Sequence, residues 1–272
     1  MNLNNYTTPH CILGMLSKRY TPFPDYSGYI KNRKEVVIFD PSKIPQYLDY
    51  PKINLAYVDK MDKNTLNSLI PDYKNTSGYK GTLLYSNFEQ DFFKLQGKSH
   101  REMRETRNHY QKSSIQVRNS ASIEDITKFI QKWNTQRGDA RYGWTLHSGY
   151  DLNFFTKHWE NEKDKFQALF FYDNDKLIGY SVMSLNNVDN VYYYMLRKNL
   201  TSYRNLALYI DFTTFDTLYS NIGVNFITCW GANSGSLLKY KMKFPVYHTQ
   251  EKWFYKFKRE EVKENNNEQC TI

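Results

Sequence analysis

The residues best equipped for chemistry fall in a few short stretches. Asn233 to Phe244 joins a carboxamide at Asn233, a phenol at Tyr240 and three lysines, of which Lys241 and Lys243 stand just ahead of Phe244. A phenol of pKa about 10 can give its proton to a leaving group of similar basicity. Ser202 to Asn205 opens an apolar helical run, and a helix start offers N–H groups to an anion, here with Arg204 beside it. Asp139 to Trp144 sets Arg141, Tyr142 and Trp144 close together, a cation and two aromatic faces. Tyr192, Tyr193 and Tyr194 follow one another in a strand-like run, so at least one must face any cleft that strand lines. The 6 His are scattered without metal or triad spacing, and the 3 Cys, at 11, 229 and 270, fit no metal motif. No Ser or Cys sits in a nucleophile motif, so neither a resident metal nor a covalent enzyme intermediate is expected.

A basic stretch adds a second kind of chemistry. From Lys94 to Arg118 there are seven Lys or Arg against two Glu. On a helix Arg101, Arg104 and Asn108 share one face, with Arg107 beside it and Lys98 just ahead. Such a stripe suits tRNA, DNA or a phospholipid head group. The formal net charge of +9 points the same way, to an anionic partner. Apolar runs are short, far below the ~20 residues of a membrane span. The polar N-terminal segment has no hydrophobic signal core. A cytoplasmic setting is expected.

Elements must hold these residues in place. Val36 to Phe39, Asn54 to Val58 and Gly81 to Ser86 read as strands, Asp62 to Ile70 and Ser99 to Lys112 as helices. From Ser114 the order is clearer. Ser114 to Asn119 alternates like a strand. Ser122 is an N-cap with Asp125 in capping-box position, and Ile126, Phe129, Ile130 and Trp133 follow at helical spacing. Tyr150 to Asn161 reads as a second helix. Phe166 to Tyr172, Lys176 to Leu185 and Val191 to Arg197 read as strands, the first two joined by an Asp-Asn-Asp turn. Tyr203 to Asn221 reads as a helix capped by Gly223, followed by a buried strand at Val224 to Trp230, a helix at Ser234 to Lys243 and a strand at Tyr247 to Phe257.

That order, β-α-α-β-β-β-α-β-α-β, resembles the GNAT acyltransferase fold. The Asn233…Tyr240…Phe244 spacing resembles the end of that fold. The resemblance implies an α+β, three-layer architecture in which two neighbouring strands splay apart to receive the donor. It gives Asn233 and Tyr240 catalytic roles, Asn233 bonding the donor and Tyr240 protonating the leaving group. Donor binding falls on Leu196, Arg197, Tyr203, Arg204, Asn205 and Asn233. The acceptor falls on Arg141, Tyr142, Trp144 and Tyr193.

The Lys241-x-Lys243-Phe244 ending resembles the C-terminal domain of phosphatidylglycerol lysyltransferases, whose relatives include the Fem aminoacyltransferases. So does the Gly97-Lys98…Arg101…Arg104 element. These groups imply a partial GNAT-like region over residues 1–113 and a transferase domain over 114–257, while the charged, Asn-rich tail over 258–272 reads as disordered. The donor is then acyl-CoA, such as acetyl-CoA, or aminoacyl-tRNA, with an amine as acceptor. Lys98, Arg101, Arg104 and Arg107 become a nucleic-acid contact. The phosphate loop departs from the acetyl-CoA pattern, with Ala207 and Tyr209 at its two glycine positions. Two other readings fit the same fold: transfer to a nucleobase amine, and a non-catalytic binding protein.

Overall fold

The computed structural model describes residues 20–23, 28–31, 34–137, 151–152, 154–159, 166–188, 191–223, 225–232 and 234–259. Its strands are β1 (Tyr20–Pro22), β2 (Gly28–Lys31), β3 (Glu35–Ile38), β4 (Lys52–Val58), β5 (Tyr73–Phe88), β6 (Ile115–Arg118), β7 (Phe166–Asp173), β8 (Lys176–Val188), β9 (Val191–Asn199), β10 (Phe226–Ala232) and β11 (Val246–Arg259). The helices are α1 (Lys63–Leu69), α2 (Arg101–Gln111), α3 (Ile123–Arg137), α4 (Leu206–Ile222) and α5 (Gly235–Lys241). All the strands join one 11-stranded sheet in the order β1-β2-β3-β4-β11-β5-β10-β9-β8-β7-β6. The last strand thus returns between β4 and β5, so the N-terminal strands and the C-terminal strands are stitched into one surface.

Local chemistry sets the ends of the elements. The Asp125 N–H donates to Ser122 Oγ at 3.0 Å, the expected cap of α3. Asn174 turns β7 into β8 at φ 53. Gly223 closes α4 at φ 70, a conformation that costs a residue with a Cβ. Helices cover both faces of the sheet. On β8 the ring of Tyr180 meets Phe129 of α3, while the next residue, Ser181, bonds Thr214 of α4. Gly179 lets α4 lie close, since a Cβ there would stand 2.5 Å from Ile210 Cδ1. Three larger hydrophobic clusters follow: one between α3, β7, β8 and the start of α4, one under α4 and β10, and one between β3, β4, β11 and α1.

Several expected boundaries move. β5 runs over Tyr73–Phe88 rather than Gly81 to Ser86, because β11 pairs with it along its whole length despite its glycines and lysines. α4 begins at Leu206, not at Tyr203, because Asn205 takes a left-handed conformation just ahead of it. The described part of the Tyr150 to Asn161 stretch is helical, at 151–152 and 154 and then as a π-helix at Phe155–Trp159, packed as an aromatic knot against Phe170 and Tyr180. β1 and β2 carry no strand signal in the sequence and are held as an antiparallel pair on the sheet edge. Among the described residues no helix is long and apolar enough to cross a membrane.

Candidate functional site

The site is organised by the way β9 leaves β10. The two are parallel neighbours for only three pairs, Ile227 with Val191, Thr228 with Tyr192 and Cys229 with Tyr193. Beyond Tyr193 the ladder stops, although β9 runs on to Asn199 and β10 to Ala232. The register of β9 against β8 slips at the same level: Met183 faces Tyr194 and Val182 faces Leu196, which leaves Met195 as a bulge. A bulge bends its strand and re-aims the groups that follow it. Leu196 and Arg197 come directly after it, on the edge that turns from β10. The two strands therefore part in a V at this level.

Side chains from four elements meet under that parting. Asp211 sits on α4 with 1% of its surface exposed. Tyr194 of β9 donates its phenol proton to Asp211 Oδ1 at 2.5 Å. Tyr240 of α5 donates to Asp211 Oδ2 at 2.7 Å. Arg197 of β9 pairs with the same carboxylate, Nε to Oδ1 at 3.3 Å, and lies 5.4 Å over the Tyr240 ring. Trp230 of β10 closes the far wall, its ring 5.8 Å from that of Tyr194 and its N–H on Ser86 Oγ at 3.2 Å. The Lys241 ammonium donates to the Gly231 carbonyl and stands 4.7 Å over the Trp230 ring.

Burial and charge tune these groups. Burial raises the phenols of Tyr194 and Tyr240 well above the usual value, and the negative charge of Asp211 adds to it. Burial works against the Arg197 cation, but Asp211 and then Tyr240 and Tyr194 outweigh it and hold it charged. Burial lowers Lys241 to about 8; Asp211 opposes the shift and Arg197 adds to it. The cluster therefore offers protonated phenols and two cations of different character beside a strand edge. Among the described residues no group of His, Cys, Asp and Glu could hold a metal ion.

The expected site residues distribute unevenly. Tyr240 and Arg197 meet at Asp211, and Leu196 lies on the bulged segment beside them. Tyr203, Arg204 and Asn205 form the approach to α4. There the Tyr203 phenol donates to Asp173 at 2.8 Å, the Arg204 carbonyl accepts from Tyr110 at 2.6 Å, and the Asn205 amide reaches Thr106 at 3.4 Å. The α4 start is thus roped to α2. Tyr209 is buried, stacked on Tyr110 at 4.7 Å and edge-on to Phe171 at 5.8 Å, so its ring turns away from the parting. Tyr193 lies on the opposite face of the sheet, among Leu83, Tyr85, Val191 and Cys229. Asn233, Arg141, Tyr142 and Trp144 lie outside the described residues.

The basic stripe is mostly spent within the protein. Arg101 pairs with Glu105 at 2.7 Å, Arg104 donates to the Gly97 carbonyl at 3.2 Å and to that of Leu95, and Arg107 lies 5.9 Å over the Phe212 ring. Asp211 and Trp230 were not singled out from sequence. The signal for Asp211 was present: it is the single acid in the apolar run from Leu206 to Phe215.

No protein-family model and no curated protein matches the sequence. Solved structures match nearly its whole length. A protein of unknown function from Bacteroides thetaiotaomicron superposes with a TM-score of 0.57 at 11% identity, covering 94% of this chain and 90% of that one. L-PGS from Bacillus licheniformis gives 0.55 at 12%, covering 91% and 86%. A tandem GNAT protein from the clavulanic acid biosynthesis pathway gives 0.52 at 7%, covering 86% and 80%. With its bulged, diverging β9 and the helix that follows, the chain has the GNAT fold.

Proposed function

We propose that the protein is an N-acyltransferase that moves an acyl or aminoacyl group to an amine, with aminoacyl-tRNA favoured over acyl-CoA as donor. The observation that carries this reading is the three-pair contact of β9 with β10, followed by a bulge and a parting lined by Tyr194, Arg197, Tyr240 and Lys241. In this reading residues 114–257 carry the transferase unit and residues 1–113 the partial GNAT-like half.

The chemistry follows from the groups in place. A neutral amine attacks the carbonyl carbon of the activated donor, and the tetrahedral oxyanion is met by N–H groups at Leu196 and Arg197. The C–N bond forms and the bond to the leaving group breaks. The Tyr240 phenol turns from Asp211 and gives its proton to that leaving group, while the amine's proton passes to solvent, from which the phenoxide is restored. Holding amine and carbonyl together supplies much of the rate. Asn233 would bond the donor, and Arg141, Tyr142, Trp144 and Tyr193 would meet the acceptor.

Two observations favour an aminoacyl ester. The start of α4, where a CoA pyrophosphate would lie, is tied to Tyr110 and Thr106, and its second glycine position holds the buried Tyr209. The raised phenol of Tyr240 also suits an alkoxide leaving group better than the less basic thiolate. The test is to incubate the protein with radiolabelled aminoacyl-tRNA or acetyl-CoA and a panel of amines, then follow the label. Consumption of the aminoacyl ester beyond its spontaneous hydrolysis supports the reading. If neither donor is consumed or bound, the transferase reading fails.

A further inference from the structure

The sheet has a second chemical surface, far from the helices that cover the C-terminal half. On β4, β11 and β5 the pairings place Lys52 opposite Lys258 and Lys258 opposite Lys74. Three lysines thus stand in one row across three adjacent strands. The next row on the same face holds Asn54, Lys256 and Ser77. Two residues further along, Phe254 faces Tyr79, their rings stacked at 4.7 Å and 2° apart. Like charges directly opposite on a sheet cost stability, and here the row joins three of them. Glu35, at the end of that row on β3, is engaged by Lys31 at 3.5 Å and by the Asn54 amide at 2.6 Å. Lys52, Lys74, Lys256 and Lys258 are exposed.

The aromatic pair is placed for stacking. Tyr79 is 49% exposed, although one of its ring faces is covered by Phe254. β10 ends at Ala232, opposite Thr82, so no described strand flanks Tyr79 on its other side. Ser77 and Gly81, its neighbours on that face, leave room beside the ring. Further along, the same face of β5 and β10 is closed over, since Leu83, Tyr85, Cys229 and Tyr193 are buried, so the accessible patch is confined to the lysine rows and Tyr79.

We propose that this face docks single-stranded RNA, with Lys52, Lys74, Lys256 and Lys258 against the phosphates and a base on the open side of Tyr79. Lysines that track a backbone, next to an aromatic platform, are how sequence-tolerant single-strand sites are built. An anionic membrane would also meet lysines. It calls for apolar side chains that reach into lipid, and here the large rings are paired with each other. The inference rests on the aminoacyl-tRNA reading, which makes the donor an RNA with a single-stranded end.

The test uses the full chain and a fluorescein-labelled 12-nucleotide single-stranded RNA, read by anisotropy from low to moderate salt. Wild type should bind, with affinity falling steeply as salt rises. Lys256→Glu combined with Lys258→Glu should weaken binding at least tenfold and flatten the salt slope. Tyr79→Ala should weaken it about tenfold while leaving the slope nearly unchanged. Lys63→Glu, exposed on α1 across the sheet from this face, should bind as wild type does. Circular dichroism checks that each variant is folded; should Tyr79→Ala unfold, the lysine pair alone decides. Absence of RNA binding, equal binding by the lysine pair, or co-sedimentation with phosphatidylglycerol vesicles in place of RNA overturns the proposal. The donor reading fails separately. If the face binds RNA and its variants lose it while aminoacyl-tRNA is left unconsumed, the surface stands and the donor assignment falls. If aminoacyl-tRNA is consumed equally by the variants, the donor stands and the surface falls.

Discussion

Arg197 and Lys198 are neighbours on β9, and the sheet sends them to opposite faces. Each meets a buried carboxylate and a tyrosine. Arg197 joins Asp211, Tyr194 and Tyr240; Lys198 joins Asp151 and Tyr180 and lies 4.9 Å over the Trp133 ring. The Arg197 side chain is 22% exposed and that of Lys198 8%. On the proposed function, this difference separates a site from a strut. The Asp211 group opens on the parting of the strands and holds two phenols whose protons have somewhere to go. The Asp151 group is sealed under α3 and the aromatic knot, and it ties Asp151 to the sheet. The same chemistry does two jobs, and access decides which.

Removing one oxygen should show the difference most strongly. Tyr240→Phe keeps the ring that packs on Phe244 and deletes the proton donor. We expect a fall in transfer rate of about 10²–10⁴-fold with little change in melting temperature, since general acids contribute on that scale. Asp151→Asn should leave the rate per folded molecule nearly unchanged. A Tyr240→Phe protein that transfers at the wild-type rate would remove the distinction between the two clusters.

The second test turns to the strut. Asp151→Ala leaves the Lys198 ammonium buried without its carboxylate, which costs about 3–5 kcal/mol. Urea denaturation should register that loss as a lower midpoint. Adding Lys198→Met to Asp151→Leu replaces the pair by apolar groups and should recover most of it, because a well-packed apolar substitute is often neutral. If the single variant denatures at the wild-type midpoint, Asp151 is no strut.

These contrasts also mark what the sequence could disclose. The element order from Ser114 onward was legible, since its strands and helices carry clean periodicity and caps such as Ser122 and Gly223. The length of β5 was not. Lys74, Gly78 and Lys80 carry no strand pattern, and only the pairing with β11, more than 160 residues away, makes them strand. Tyr240 and Arg197 could be chosen from spacing, but their meeting at Asp211 depends on how α4 and α5 cross the sheet. The internal contacts of the α2 stripe were hidden for a related reason. Whether an arginine faces a partner or its own chain's carbonyls, as Arg104 does, is a tertiary fact. The lysine row of β4, β11 and β5 is hidden still deeper, because its members lie far apart in sequence and become a row only through register.

Lys241 gives the smallest effect, and it sharpens the comparison by pH. In the folded protein its pKa is lowered from the ordinary 10.5 to about 8, first by burial, with Arg197 adding to the shift and Asp211 opposing it. Between pH 8 and 10.5 the unfolded chain therefore holds a proton that the folded protein has released. Stability rises with pH wherever the unfolded state binds more protons, so this lysine should make the protein more stable as pH climbs from 8. The phenols of Tyr194 and Tyr240, raised in the folded state, act in the opposite direction once the unfolded chain's tyrosines ionise near pH 10. The useful window is thus pH 8 to 10, where Lys241 by itself contributes a gain of roughly 1–2 kcal/mol, while the Cys229 thiol, pushed up to about 12 by burial, works against it in wild type and variant alike. Denaturation midpoints across that window should rise for wild type by more than for Lys241→Met. Equal slopes would mean that the Lys241 ammonium is solvated in the folded protein, and the wall that Trp230 and Gly231 form beside the parting would then be open to water.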